Sequence, residues 1–226
     1  PGTELSSRSD HVMRNQVARP VAIVGGLRIP FCRSHTAYRH CSNQDMLTAV
    51  LRALVERYDL TGEKLGDAAF GAVMKHSRDW NLARESLLSS GLAPETPAFD
   101  LQRACGTSLS AAVLIASKIS TGLIDSGLAG GADTLSDLPI VYPDAYRHLL
   151  LESARGRSIG EKIKPWLGLR PRHFKPVFPG VVEPRTNLSM GQSMELTAKE
   201  WRLTRADQDQ LALESHQKAA RAYEEG

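Results

Sequence analysis

The sequence predicts an α/β fold, in which short buried strands alternate with helices that cover a sheet. Three observations carry this. Between residues 20 and 133, short apolar runs rich in Ala, Val and Gly alternate with longer runs of helical periodicity, in the order β-α-β-α-β-α-β. Gly or Pro punctuates most junctions between them. The composition is that of an ordinary globular chain: 226 residues, 42% hydrophobic and 23% charged.

The elements follow in order. PVAIVGG (20–26) is a β-branched run ended by paired glycines and is expected to be a buried strand. Residues 44–58 place Met46, Leu47, Val50, Leu54 and Val55 at helical spacing, with Ser42 or Asn43 as the cap. DAAFGAV (67–73) is a second strand. NLARESLLSSG (81–91) is a helix stopped by Gly91 and then Pro94. PAFDLQ (97–102) is a third strand, and 106–122 is a helix apolar on most sides, expected to be deeply buried. SGLAGGAD (126–133) is a fourth strand. Beyond Asp133 the character changes: residues 134–188 hold seven of the twelve prolines, with short helices expected near 144–154 and 157–164. Helices over 190–200 and 204–224 follow, the second opening on a Thr204–Asp207 capping pattern and expected at a surface. Residues 1–19, polar and aperiodic, are expected to be a flexible arm.

Several function classes lose support. Net charge is +3, from 28 basic and 25 acidic residues, too weak a bias for a nucleic-acid partner. No apolar run approaches the roughly 20 residues of a transmembrane helix. Three cysteines without a CxxC pair argue for a reducing compartment. Neither GxGxxG after a strand nor GxxxxGK[ST] occurs, so the nucleotide folds lack their signature. Cys32, His35, His40 and Cys41 are metal-ligand types within ten residues, but adjacent ligands suit a tetrahedral site poorly, and no metal is expected.

The most informative stretch is FDLQRACGTSLSAA (99–112). A strand ends, the chain turns, and Cys105 sits at the first turn of an apolar helix. Unpaired N–H groups and the helix dipole favour a thiolate there. The Cys105 amide is placed to meet an oxyanion, and Gly106, Thr107 and Ser108 leave room for an acyl group. From the residues alone, a nucleophile and a small buried side chain are both open readings.

RACGTSLSA resembles the nucleophile turn of the thiolases. GGLRIPFCR (25–33), FGAVMKHSRDWNLAR (70–84), GGADTLSDLP (130–139) and SMGQSMELTAKEWRLTRADQDQLALESHQKA (189–219) are similar to further motifs of that family, in the same order. RACGTS, GGAD with LPI, and the Pro-rich insertion are nearer to the β-subunit branch of fatty-acid oxidation complexes than to the small biosynthetic thiolases. The resemblance implies a thiolase-like α/β half with a mixed sheet covered by helices, at 20–133, and an inserted, mainly helical loop domain, incomplete, at 134–226. The family's C-terminal half, with its Gly-His-Pro segment and second Cys-x-Gly motif, is expected to be absent from these residues, and the chain alone is expected not to turn over and to be poorly soluble.

The resemblance further implies a 3-ketoacyl-CoA thiolase that cleaves 3-ketoacyl-CoA with CoA through an acyl thioester on Cys105. It implies Ser189 and Met190 beside the CoA arm, Asn81 and Arg84 near a subunit interface, and coenzyme A as substrate with no covalently bound cofactor. A homodimer or larger assembly, a hydratase/dehydrogenase α subunit as partner, and a cytoplasmic location (mitochondrial in a eukaryote) belong to the same expectation. Arg170, Arg172, His173 and Lys175 form a basic loop, expected to be solvated rather than to hold CoA phosphates. The alternatives are a biosynthetic thiolase or condensing synthase, and a non-catalytic lipid-binding or scaffold subunit. A scaffold would have no use for the thiol.

Overall fold

The computed structural model describes residues 18–225, so most of the expected N-terminal arm lies outside the described residues. The chain groups into two compact units, one up to Val177 and one from Phe178 onward.

The first unit is built on a three-stranded parallel sheet of β1 (Asp67–Phe70), β2 (Ala98–Asp100) and β3 (Gly127–Ala129), in the order β2-β1-β3. The two-residue period of β1 sorts its side chains between layers. Ala68 and Phe70 join Leu47, Leu51, Val55, Leu82 and Leu87 on one face. Those residues come from α1 (Asn43–Arg57) and α2 (Leu82–Leu88). Ala69 meets Ala111 and Ile115 of α3 (Thr107–Ser120) on the other. The central strand is thus covered on both faces, as a parallel sheet requires. Gly127 is obligatory, because a Cβ there would lie 2.7 Å from the Asp67 carbonyl oxygen and 2.8 Å from Ile115 Cγ2.

The helix starts follow from their capping residues. Ser42 Oγ accepts from the Asp45 N–H at 3.1 Å, and the Asp45 carboxylate accepts from the Ser42 N–H at 2.9 Å. The Ser42 N–H and hydroxyl, both donating to the Asp45 carboxylate, hold it below its usual range, the backbone bond acting most strongly. Asn81 Oδ1 caps α2 by accepting from the Arg84 N–H at 2.9 Å.

Two expectations about this unit are corrected. Residues 20–26 form no strand, and Ile23 and Val24 are 93% and 83% exposed. A β-branched run becomes a strand only beside an edge that pairs with it, and among the described residues none does. Nor is α3 buried all round: Leu109 is 71% and Val113 58% exposed. A helix of 14 residues is roughly 21 Å long. Strands of three or four residues cover only its Ala111–Ile115 side. Apolarity marks a helix that can be buried without supplying the surface that buries it.

Residues 134–177 group with this unit. They carry α4 (Asp144–Arg155), α5 (Ile159–Ile163) and two 3-10 helices, Lys164–Gly168 and Pro171–Phe174. The short helices expected here are therefore present. Tyr146 organises them: its ring lies edge-on to Tyr142 at 4.9 Å and Trp166 at 6.4 Å, and tilted on Phe174 at 5.2 Å. Trp166 Nε1 donates to Ser153 Oγ at 2.8 Å, fastening the first 3-10 helix to α4.

The second unit holds α6 (Met190–Glu200) and α7 (Arg205–Glu225). Thr204 and Asp207 form the expected cap: the Thr204 N–H and hydroxyl donate to Asp207 at 3.0 and 2.7 Å. No side chain of α7 is buried, in keeping with a surface helix.

Candidate functional site

The site is assembled at the carboxyl ends of the three strands, where an α/β sheet places its function. β2 ends at Asp100, and Leu101 N still donates to the Phe70 carbonyl at 3.0 Å. The chain then turns sharply. Ala104 adopts φ +45°, a left-handed conformation that a side chain makes unfavourable by about 1–2 kcal/mol. The turn is tied off by Gly106 N–H donating to the Arg103 carbonyl at 3.0 Å.

Thr107 provides the brace. Its Oγ1 accepts from the Arg103 N–H at 2.8 Å and donates to the Ala104 carbonyl at 2.7 Å, and the residue is 4% exposed. Sequence reasoning gave Thr107 only the role of leaving space; its hydroxyl spans the turn. The outcome is an exposed Cys105 thiol immediately before α3.

Residues that the sequence did not single out support this turn. Gly71 follows β1, and a Cβ there would lie 2.0 Å from the Leu101 carbonyl oxygen and 2.5 Å from Thr107 Cγ2. Its sequence signal is a glycine inside the expected strand 67–73, where a close backbone approach is one reading. Asp133 Oδ1 accepts from the Val73 and Met74 N–H groups at 2.8 and 3.2 Å. Partial burial raises the Asp133 carboxyl above its usual range, against the pull of those two bonds. Gln102 Nε2 donates to the Val73 carbonyl at 2.7 Å, linking this loop to the Cys105 turn. Asp100 accepts from the Leu82 and Ala83 N–H groups at 3.1 and 2.7 Å and pairs with Lys75. The three strand ends are therefore knitted by side chains that satisfy backbone groups.

One concavity adjoins the turn, and a second lies beside the segment that follows β3. An open groove of about 620 Å³ runs along the exposed side of α3, past Leu101, Arg103, Leu109, Val113 and Leu114. A cavity of about 350 Å³ lies between residues 27–34 and 131–136. Gly131, on its wall, packs against the first turn of α3: a Cβ there would sit 3.3 Å from Ser108 Oγ.

The remaining candidates fall as follows. Asn81 is a helix cap, and the Arg84 guanidinium donates to the Thr96 and Pro94 carbonyls at 2.7 and 2.6 Å, pinning the loop before β2. Ser189 and Met190 lie in the second unit. Ser189 Oγ accepts from the Gln192 N–H at 3.3 Å as the cap of α6, and Met190 is 61% exposed. The Cys32–Cys41 loop disperses its ligand-type groups. His35 N–H donates to Ser136 Oγ at 2.8 Å, and His40 Nε2 accepts from Arg39 at 2.9 Å. The Tyr38 hydroxyl is raised above its usual range by desolvation and by its hydrogen bond with Cys32. Among the described residues no three His, Cys, Asp or Glu side chains converge as a metal site. His173 is buried with its Nδ1 toward the Arg170 N–H at 3.4 Å, whereas Arg170, Arg172 and Lys175 are exposed.

The profile of the thiolase N-terminal domain matches residues 21–226. The 3-ketoacyl-CoA thiolase of Erwinia tasmaniensis is 40% identical over 206 residues, covering 91% of this chain and 47% of that protein. The 3-ketoacyl-CoA thiolase of Klebsiella pneumoniae is 39% identical over the same shares. The chain therefore spans about half the length of these curated relatives. In fold, it superposes on the crystal structure of the Bacillus anthracis acetyl-CoA acetyltransferase with a TM-score of 0.64 at 22% identity, over 84% of this chain and 44% of that one.

Proposed function

The chain belongs to the thiolase family, and on that premise we propose that the protein is a 3-ketoacyl-CoA thiolase of fatty-acid β-oxidation, with Cys105 as its nucleophile. The observation that carries the proposal is the strained Ala104–Cys105 turn. It holds an exposed thiol at the head of α3, at the joined carboxyl ends of the sheet.

In the proposed reaction the Cys105 thiolate adds to the keto carbon of a 3-ketoacyl-CoA. The bond from that carbon to the α-carbon then breaks. Its electron pair leaves with the α-carbon, which takes up a proton to become acetyl-CoA, and the shortened acyl group stays as a thioester on Cys105. The sulfur of a second CoA attacks that thioester, the acyl group transfers, and the Cys105 thiolate is regenerated. The Cys105 amide is the oxyanion donor we assign. We assign the proton-transferring His and second Cys of the family to no residue of this chain.

CoA enters as substrate rather than as bound cofactor. Ser189 and Met190 are proposed beside its pantetheine arm, and the exposure of Met190 supports an apolar contact there. Asn81 and Arg84 are proposed near a homodimer interface, indirectly, through the loop that Arg84 pins. The loop-domain assignment of 134–226, a hydratase/dehydrogenase α-subunit partner and a cytoplasmic location belong to the same proposal. Cys105→Ala in the full-length protein should abolish thiolysis while leaving the unfolding midpoint unchanged. Near-normal turnover by that variant would end the reading.

A further inference from the structure

The turn that carries Cys105 is held in two different ways. Within the turn, the Thr107 hydroxyl and the bond from Gly106 N–H to the Arg103 carbonyl fix its shape. Its place against the sheet depends on other contacts. The strand ladder ends at Leu101, whose N–H donates to the Phe70 carbonyl at 3.0 Å. Gly71 lets Leu101 and Thr107 pack close to the end of β1, but that contact has no direction of its own. Among the described residues, a single hydrogen bond joins residues 102–106 to the segment that follows β1. It is Gln102 Nε2 donating to the Val73 carbonyl at 2.7 Å.

The segment that receives this bond is anchored independently. The Val73 and Met74 N–H groups both donate to Asp133 Oδ1. The Met74 carbonyl accepts from Asn43 Nδ2 at 2.6 Å, and Asn43, the first residue of α1, is buried. His76 Nε2 lies 3.2 Å from the Asp137 carboxylate, which also pairs with Arg78. Residues 73–78 are thereby fixed to α1 and to the residues after β3. A turn tied to this segment by one directed bond takes its position from that frame, not from the end of β2 alone.

We propose that Gln102 is a positioning residue for acyl transfer: its bond to Val73 sets where the nucleophile turn stands against the strand ends, and so how the Cys105 sulfur approaches the carbonyl carbon. The proposal rests on the assignment of Cys105 as nucleophile. Gln102 itself touches no reacting atom. Reacting atoms must come within about 3–3.5 Å in line, and a misplacement on the order of 1 Å lowers rates by roughly a hundredfold. Losing the Gln102 bond lets the turn shift as a unit, because Thr107 still holds its shape. The contacts proposed for CoA at Ser189 and Met190 are untouched. The loss therefore falls on the chemical step and spares binding.

The test is the rate at which the full-length protein, mixed with acetyl-CoA over a range of concentrations, accumulates an acetyl thioester on the Cys105 peptide. Gln102→Met keeps the length of the side chain and removes the donor. It should lower the limiting rate by about tenfold to a hundredfold, with the half-saturating concentration changed by less than about twofold. Gln102→Glu gives a sharper signature. Its ionised carboxylate cannot donate to the Val73 carbonyl, whereas its protonated form can. Its rate relative to wild type at the same pH should climb as pH falls from about 8 to about 5, while the Gln102→Met ratio stays flat. Arg52→Met removes a similar exposed bond, from α1 to the Ser89 carbonyl at 2.7 Å, and should leave the rate unchanged. A wild-type limiting rate in Gln102→Met, or a pH-independent deficit in Gln102→Glu, would overturn the proposal. So would equal slowing by Arg52→Met, which would reveal a general effect of stability. A wild-type protein that forms no thioester on Cys105 would instead end the nucleophile assignment, and this proposal with it.

Discussion

Thr107→Val is the sharpest test of how the nucleophile turn is held. Valine keeps the shape of threonine and removes only the hydroxyl, which here accepts from Arg103 N–H at 2.8 Å and donates to the Ala104 carbonyl at 2.7 Å. The Ala104 carbonyl retains the Thr107 N–H at 3.2 Å, so the Arg103 N–H is the group left without its partner. An orphaned backbone donor costs about 1–3 kcal/mol. Arg103 is exposed and water can replace part of the bond, which puts the loss near the lower end, at about 1 kcal/mol. The effect on turnover should be larger. Ala104 occupies φ +45° only because its surroundings hold it there. Releasing the turn lets the Cys105 thiol drift, and a displacement on the order of 1 Å lowers rates by roughly a hundredfold. Thr107→Ser keeps the hydroxyl and should retain most activity. The assay is steady-state thiolysis by the full-length protein, with urea unfolding alongside. Valine should reduce kcat far more than it raises KM. Equal damage from serine and valine, or wild-type kcat in the valine variant, would refute the role given to the hydroxyl.

Three other outcomes are expected. Gly71→Ala should destabilise severely, by several kcal/mol as an order of magnitude, because its Cβ would meet the Leu101 carbonyl oxygen at 2.0 Å; wild-type melting would show that the strand ends are not packed this tightly. Asp133→Ala strips two backbone N–H groups of their acceptor and should cost about 1–3 kcal/mol, whereas Asp133→Asn keeps an acceptor and sheds a partly desolvated charge. A raised carboxyl pKa favours the fold at acid pH and loses that contribution as pH rises through the folded value. Urea unfolding should therefore show the Asn variant gaining on wild type from acid to neutral pH, and a pH-independent difference would contradict the desolvation argument. Residues 1–226 expressed alone should bind a hydrophobic dye through the exposed side of α3, less so with Leu109→Gln and Val113→Gln; a dye-negative, cooperatively unfolding chain would show that face to be covered.

Much of the fold was legible because it is written in local pattern. The buried strand Asp67–Phe70 and the Ser42 and Thr204–Asp207 caps each follow from residues within a few positions of one another, whereas α2 ends at Leu88, short of the stop expected at Gly91. What was not legible depends on distant partners. Whether Val21 to Val24 pair as a strand, or which face of α3 is covered, is decided by surfaces far along the chain. The site divides the same way. Cys105 could be picked out from a strand, a turn and small residues in succession. Gly71 and Asp133 could not, because their roles consist of contacts with Leu101, Val73 and Met74 that no short-range pattern encodes. Asn81 and Ser189 show the converse: residues picked out by motif prove to serve first as helix caps.

The central claim is that Cys105 carries the acyl group. It is tested most directly by incubating the full-length protein with acetyl-CoA in the absence of an acceptor, quenching in acid, and locating the adduct by peptide mass spectrometry. An acetyl thioester on the peptide containing Cys105, cleared by added CoA and missing from Cys105→Ala, is the predicted result. An acetyl group on Cys32 or Cys41 instead, or an adduct that persists in Cys105→Ala, would contradict the account.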